Sequence, residues 1–185
     1  MHLRSEEVLN YLDAQRKELR AAIDSVPLAA RNAQPTADRW SVAQVLDHLT
    51  LIDKRVTAGF DKWITEAQAK GLGNETETSS VLNSLPTALI TDRSRKFNAP
   101  EEIRPRTEVD AETAWTELED ARAKLRAAFL NGDGLALAQV KQPHPVLGPI
   151  NIYQWALFVG SHEARHALQI REIATGFTSA DKATA

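Results

Sequence analysis

The chain contains no cysteine. That excludes disulfides, a catalytic thiol and thiolate ligands, and leaves any bound metal to imidazoles and carboxylates. No apolar run approaches the roughly 20 residues that span a bilayer, and the opening Met1-His2-Leu3-Arg4-Ser5-Glu6-Glu7 is charged where a signal peptide is apolar. A cytoplasmic protein with no membrane partner is expected. Charge of one sign is also scarce: 22 basic against 25 acidic residues give a formal net charge of −3, so there is no general attraction to a phosphate backbone and no nucleic acid is expected. A Gly-rich phosphate loop, a dinucleotide fingerprint and a nucleophile elbow are all missing, which removes those enzyme classes. Internal repeats, heptad arrays and low-complexity tracts are absent too.

What is present is helical periodicity in four segments. At 185 residues the length suits one domain with a substantial core. The first helix runs from about Ser5 to Val26, with Val8, Leu12, Leu19, Ile23 and Val26 on one face before Pro27. The second opens at Trp40-Ser41-Val42-Ala43-Gln44-Val45, where Ser41 and Gln44 fit a capping box and Trp40 a hydrophobic staple on Val45. It continues to about Ala69, where Gly71 and Gly73 break it. The third is capped by Asp110, presents Trp115, Leu118, Leu125 and Phe129, and stops at Asn131-Gly132. The fourth opens at Asn151, with Gln154 three residues on, and ends at Gly176.

Few strand signals accompany these helices, so the expected fold is all-α, a four-helix bundle over residues 1–176 with a frayed tail at 177–185. The connection from about Lys70 to Val109 is far longer than those joining bundle neighbours, and is expected to be a crossover or lid capping one end. Within it, Leu89-Ile90-Thr91 and Arg95-Lys96-Phe97 read as short extended pieces.

The chemistry concentrates in His162-Glu163-Ala164-Arg165-His166. Four residues are little more than one helical turn, so the two imidazoles share a face. Trp155 lies on the same stripe, which points it and the histidine pair into the bundle and makes Trp155 a wall of the site. His48 lies on the flank of the second helix's apolar face, able to reach across. Separate buried histidines satisfied by nearby carbonyls would account for any one of these. A spaced pair plus a third inward imidazole favours a shared divalent ion with an open coordination position. His144, between Gln142-Pro143 and Pro145, reads as a solvated loop residue, and His2 as a free terminal one.

The pentapeptide also matches the HExxH signature of zinc proteases. Their third ligand lies downstream, whereas no His follows His166. Glu163 and Arg165 flank the histidine stripe on opposite sides, each at roughly 80° on the helical wheel, as a base near the ion or as solvated flank residues. Arg93, Arg95, Lys96, Arg104 and Arg106 offer recognition of an anionic substrate, but Glu101, Glu102 and Glu108 are interleaved with them and favour solvation.

Taken together, Trp40-Ser41-Val42-Ala43-Gln44-Val45-Leu46-Asp47-His48-Leu49, then Pro145-Val146-Leu147-Gly148-Pro149 with Gln154-Trp155, and His162 through Ile170 resemble the DinB-like superfamily. Its relatives include thiol-dependent S-transferases and mycothiol-dependent maleylpyruvate isomerase. The resemblance covers most of the chain and implies a metal-binding four-helix bundle with His48, His162 and His166 as ligands and water completing the shell. It implies a metal-dependent transferase or hydrolase, with Glu163 or Arg165 assisting and a low-molecular-weight thiol supplied from outside. Zinc and nickel are the expected ions, with iron also compatible with imidazole. The expected partners are a small-molecule substrate and a second copy of the chain in a homodimer. The alternative is a non-catalytic metal- or ligand-binding module.

Overall fold

The computed structural model of the chain describes residues 1–95 and 97–183, with backbone alone for 178–183. The protein is mostly helical, as expected. Four long helices, α1 (Leu3–Asp24), α2 (Val42–Ala69), α4 (Ala111–Leu130) and α5 (Ile152–Ala183), are joined by the short helix α3 (Thr87–Thr91) and a hairpin of β1 (Lys141–His144) with β2 (Gly148–Asn151).

Local chemistry sets most of the ends. At the start of α2 the Gln44 amide N–H donates to Ser41 Oγ (3.2 Å) while the Ser41 N–H donates to Gln44 Oε1 (3.0 Å), completing the capping box. Asn151 and Gln154 repeat this reciprocal pair before α5, at 3.0 and 2.9 Å. Asp110 Oδ1 accepts from the N–H groups of Glu112 and Thr113. After α2, Gly71 takes φ 80°, where only glycine is unstrained.

Ion pairs and hydrogen bonds between helices fix their directions. Tyr11 meets Ser161 and Glu18 meets Arg171, so α1 and α5 run parallel. Asp53 meets Arg122 and Gln68 meets the end of α4 at Asn131, so α2 and α4 run parallel as well. His2 and Asp133 join the start of α1 to the end of α4, which sets the two pairs antiparallel.

A parallel α2–α4 pair forces the chain to return the whole length of α2, roughly 40 Å for its 28 residues. That is why the connection between them is long. It does not cap one end, as the sequence suggested. From Glu75, which binds Arg4 and Tyr153, it runs along α5 past Ser84–Gln154 and Arg93–Glu172 to Gln44 and Asp47 at the start of α2.

Further differences from the sequence reading have local causes. Leu89-Ile90-Thr91 are helical, not extended, and belong to α3, because an isolated apolar triplet carries no period that separates strand from helix. In the Arg95–Phe97 piece, Lys96 lies outside the described residues. The hairpin was not anticipated, since Pro143 pairs with Pro149 and neither can donate to a ladder. The fourth long helix passes Gly176, which keeps a negative φ, and runs to Ala183. Glycine costs about 1 kcal/mol inside a helix but ends it only by adopting the left-handed conformation. His2 is not free: it caps α1, its Nδ1 accepting from the Arg4 N–H at 3.2 Å.

The apolar core falls into two clusters. One contains Val8, Leu12, Val56, Phe60, Leu125 and Trp155, and the other Leu19, Ile23, Val45, Leu118, Ala167 and Ile170. Trp155 is 8% exposed and packs on Trp63, His144 and Phe158. Trp155→Ala should therefore cost on the order of 3 kcal/mol or more. An unchanged midpoint in urea unfolding would count against that burial. Among the described residues no helix is long and apolar enough to cross a membrane.

Candidate metal centre

The seam between α2 and α5 brings His48, His162 and His166 together, with one ring nitrogen of each within 4.8 Å of the others. His48 comes from the second turn of α2 and the other two from successive turns of α5. The Nε2 atoms of His162 and His166 are 3.2 Å apart. Two imidazoles on one tetrahedral ion with bonds of about 2.0–2.1 Å place their nitrogens about 3.3–3.4 Å apart, so the spacing fits shared ligation.

The ring orientations fit as well. His48 Nδ1 lies 2.6 Å from the Ile103 carbonyl, which can only accept, so Nδ1 carries the proton and Nε2 keeps its lone pair. His166 Nδ1 lies 2.8 Å from Gln169 Oε1 and is oriented in the same way. His162 Nδ1 is buried with no hydrogen-bond partner among the described residues. Burial pushes all three imidazoles below the ordinary histidine range, most strongly His162 and His166, which also sit beside one another and His48. They are held in the neutral form that binds metal. The chain therefore presents three neutral imidazoles whose arrangement can hold a divalent ion.

Aromatic rings wall the site. Trp40 lies 5.0 Å from His48 and 6.5 Å from His166 between ring centroids, and Phe158 stacks on His162 at 5.5 Å. The sequence had assigned Trp40 only to a staple. Its place beside the cap that starts the His48 helix was the available signal. Ile103 was missed because nothing local marks a backbone carbonyl as an imidazole partner.

His144 is not solvated. It is 8% exposed on β1, packs 4.3 Å from Phe158 and 4.9 Å from Trp155, and its Nδ1 accepts from the N–H groups of Val146 and Leu147. Burial lowers its pKa to about 4. A histidine depressed in the fold contributes stability that is full above its unfolded value near 6.5 and is lost as pH falls toward 4. Asn can accept the same turn N–H groups without titrating. His144→Asn should thus lessen the decline in urea midpoint between pH 6.5 and 4, and an undiminished decline would contradict the assignment.

The structure directs Glu163 and Arg165 away from the three nitrogens. Glu163 is 0% exposed, with Oε1 2.6 Å from Arg16 Nε and Oε2 2.9 Å from Arg122 Nη1. The flank position that looked solvated on the helical wheel points into the centre of the protein, because α5 is covered on several sides. Arg165 donates to the carbonyls of Ile90, Asp92 and Arg95 and lies over Phe97, fixing the connection to α5. Of the basic residues in that connection, Arg93 pairs with Glu172, Arg106 with Asp47 and Glu117, and Arg104 donates to Ala99 O. Two open surface grooves of about 530 and 480 Å³ lie elsewhere, one beside Ser41 and Asp110 and the other beside Leu3 and Tyr11.

The sequence profile of the DinB superfamily matches residues 11–170, most of the chain and all three histidines. The chain belongs to the DinB superfamily. This DinB protein is also similar to the uncharacterized protein YuaE of Bacillus subtilis, 30% identical over 143 residues covering 77% of this chain and 82% of that one. No solved structure matches it.

Proposed function

We propose that this DinB protein is a four-helix bundle with a long crossover that holds one divalent ion, zinc or nickel in the first place, on His48, His162 and His166. The observation that carries the reading is the 3.2 Å approach of the His162 and His166 Nε2 atoms, with His48 turned toward them by Ile103. Three protein ligands leave a coordination position open, and an ion so held lowers the pKa of a thiol or water bound there. The activity proposed is transfer of an external small thiol, or of water, to a small electrophile.

The chain's own residues would do the rest. Ile103 and Gln169 orient two of the ligands, Trp40 and Phe158 keep bulk water from their sides, and Arg165 holds the connection against α5. Both oxygens of Glu163 are engaged by arginines, and Arg165 donates to three backbone carbonyls and lies over Phe97. We therefore assign neither a contact with substrate. No general base of the protein is invoked.

Metal analysis of the untagged protein, followed by a screen of small thiols with electrophiles, tests this reading. Turnover that follows metal content and disappears in His48→Ala is the expected result. Stoichiometric metal with no turnover for any thiol or water would favour the non-catalytic module, and a wild-type chain that takes up no divalent ion sinks both readings.

A further inference from the structure

Each long helix carries a charged residue that interrupts its run of apolar core side chains. In α1, Arg16 interrupts Val8, Leu12, Leu19, Ile23. In α2, Asp53 interrupts Val45, Leu49, Val56, Phe60. Arg122 interrupts Ala114, Leu118, Leu125, Phe129 in α4, and Glu163 interrupts Ala156, Val159, Ala167, Ile170 in α5. The four meet in one layer. Glu163 bridges Arg16 and Arg122 at 2.6 and 2.9 Å, and Asp53 bridges Arg122 at 2.9 Å and Arg16 at 3.9 Å. This layer lies between the two apolar clusters of the core, and the formal charges of its four residues cancel; Arg16, half-buried at its edge, also pairs with Glu119 at the surface.

Apolar contacts alone leave the register of such helices poorly specified, because a shift by one turn exchanges one apolar side chain for another. Sliding α5 by four residues would bring Ala167 to the level of Glu163 and put Ile170 where His166 stands. Both are apolar and buried, so packing would resist the shift weakly. The charged layer resists it strongly, since every slipped register leaves buried ions without partners. Buried polar groups that fix register at a cost in stability are the best-attested use of such residues.

We infer that Arg16, Asp53, Arg122 and Glu163 are positioning residues that set helix register and thereby bring His48 on α2 opposite His162 and His166 on α5. Glu163 directly follows His162 and Asp53 is five residues beyond His48, so the layer acts on both ligand-bearing helices within two turns of the ligands. The inference rests on the metal reading only for its binding readout.

Two variants test it. One replaces the whole layer with apolar residues of similar size, Arg16→Met, Asp53→Leu, Arg122→Met and Glu163→Leu. The other, Asp53→Leu with Arg122→Met, is neutral and leaves the Arg16–Glu163 pair, and it decides the matter if the fourfold change does not fold. The expected result is wild-type helicity with a thermal midpoint not greatly lowered in at least the double variant. Affinity for Co²⁺ should fall by about tenfold or more, the ligand-field spectrum of the bound ion should change, and amide resonances of α2 and α5 should multiply. Folded variants with wild-type Co²⁺ affinity and a single set of resonances would overturn it. Should the wild-type protein bind no Co²⁺, the metal reading fails by itself, and the resonance count still decides the register.

Discussion

His166→Ala should remove stoichiometric binding of a divalent ion while leaving the helices intact. His166 Nε2 faces His162 Nε2 at 3.2 Å and its ring lies 5.0 Å from His48, so its loss leaves two ligands, His48 and His162, on different helices and removes the i, i+4 pair. The fall in affinity should exceed the 10–100-fold typical of residues that only orient a ligand. Gln169→Ala, which frees His166 Nδ1, should fall within that lesser range. Titration with Zn²⁺ or Co²⁺, with far-ultraviolet circular dichroism as the control for folding, measures both. Wild-type affinity in His166→Ala would remove the basis of the proposed function.

The second large effect is on stability. Glu163→Leu leaves the Arg16 and Arg122 guanidiniums facing an apolar side chain at the centre of the protein. Asp53 still bridges both guanidiniums and Arg16 keeps Glu119, but the group is left with a net positive charge out of water, and removing one partner from a buried ionic group costs about 3–5 kcal/mol. In a chain of this length that corresponds to a fall in Tm on the order of 10 °C. Glu163→Gln keeps the shape and one acceptor oxygen and should lose less. Urea unfolding at constant m value separates this from a change in the unfolded state. Were Glu163 a solvated flank residue, Glu163→Leu would shift the midpoint by no more than about 0.5 kcal/mol.

The contrast between the three histidines and Glu163 shows where sequence reasoning was sufficient. The i, i+4 pair is local, so the helix that Asn151 and Gln154 start places both imidazoles on one face whatever surrounds it. Glu163 is in the same helix, yet its environment depends on which sides of α5 are covered, and the covering helices come from distant parts of the chain. A pattern was nonetheless legible: a charged residue interrupting the run of apolar core side chains in each helical segment. It becomes meaningful only when four separate interruptions are compared, since any single charge on a helix is ordinarily solvated.

By itself the sequence determined the four long helices, the caps at Ser41, Asp110 and Asn151, the stop at Gly71 and the family to which the three histidines belong, because each rests on interactions within a few residues of the chain. The tertiary structure decided the rest. It set the parallel pairing of α2 with α4, the return of the connection along α5, the hold of Ile103 on His48 and of the connection on Arg165, the burial of His144 on a proline-bearing hairpin against Trp155 and Phe158, and the meeting of Arg16, Asp53, Arg122 and Glu163. Those features join groups 55 to 75 or more residues apart, or depend on which surfaces are covered, and the energy of a buried charge is fixed by its surroundings and not by its neighbours in sequence.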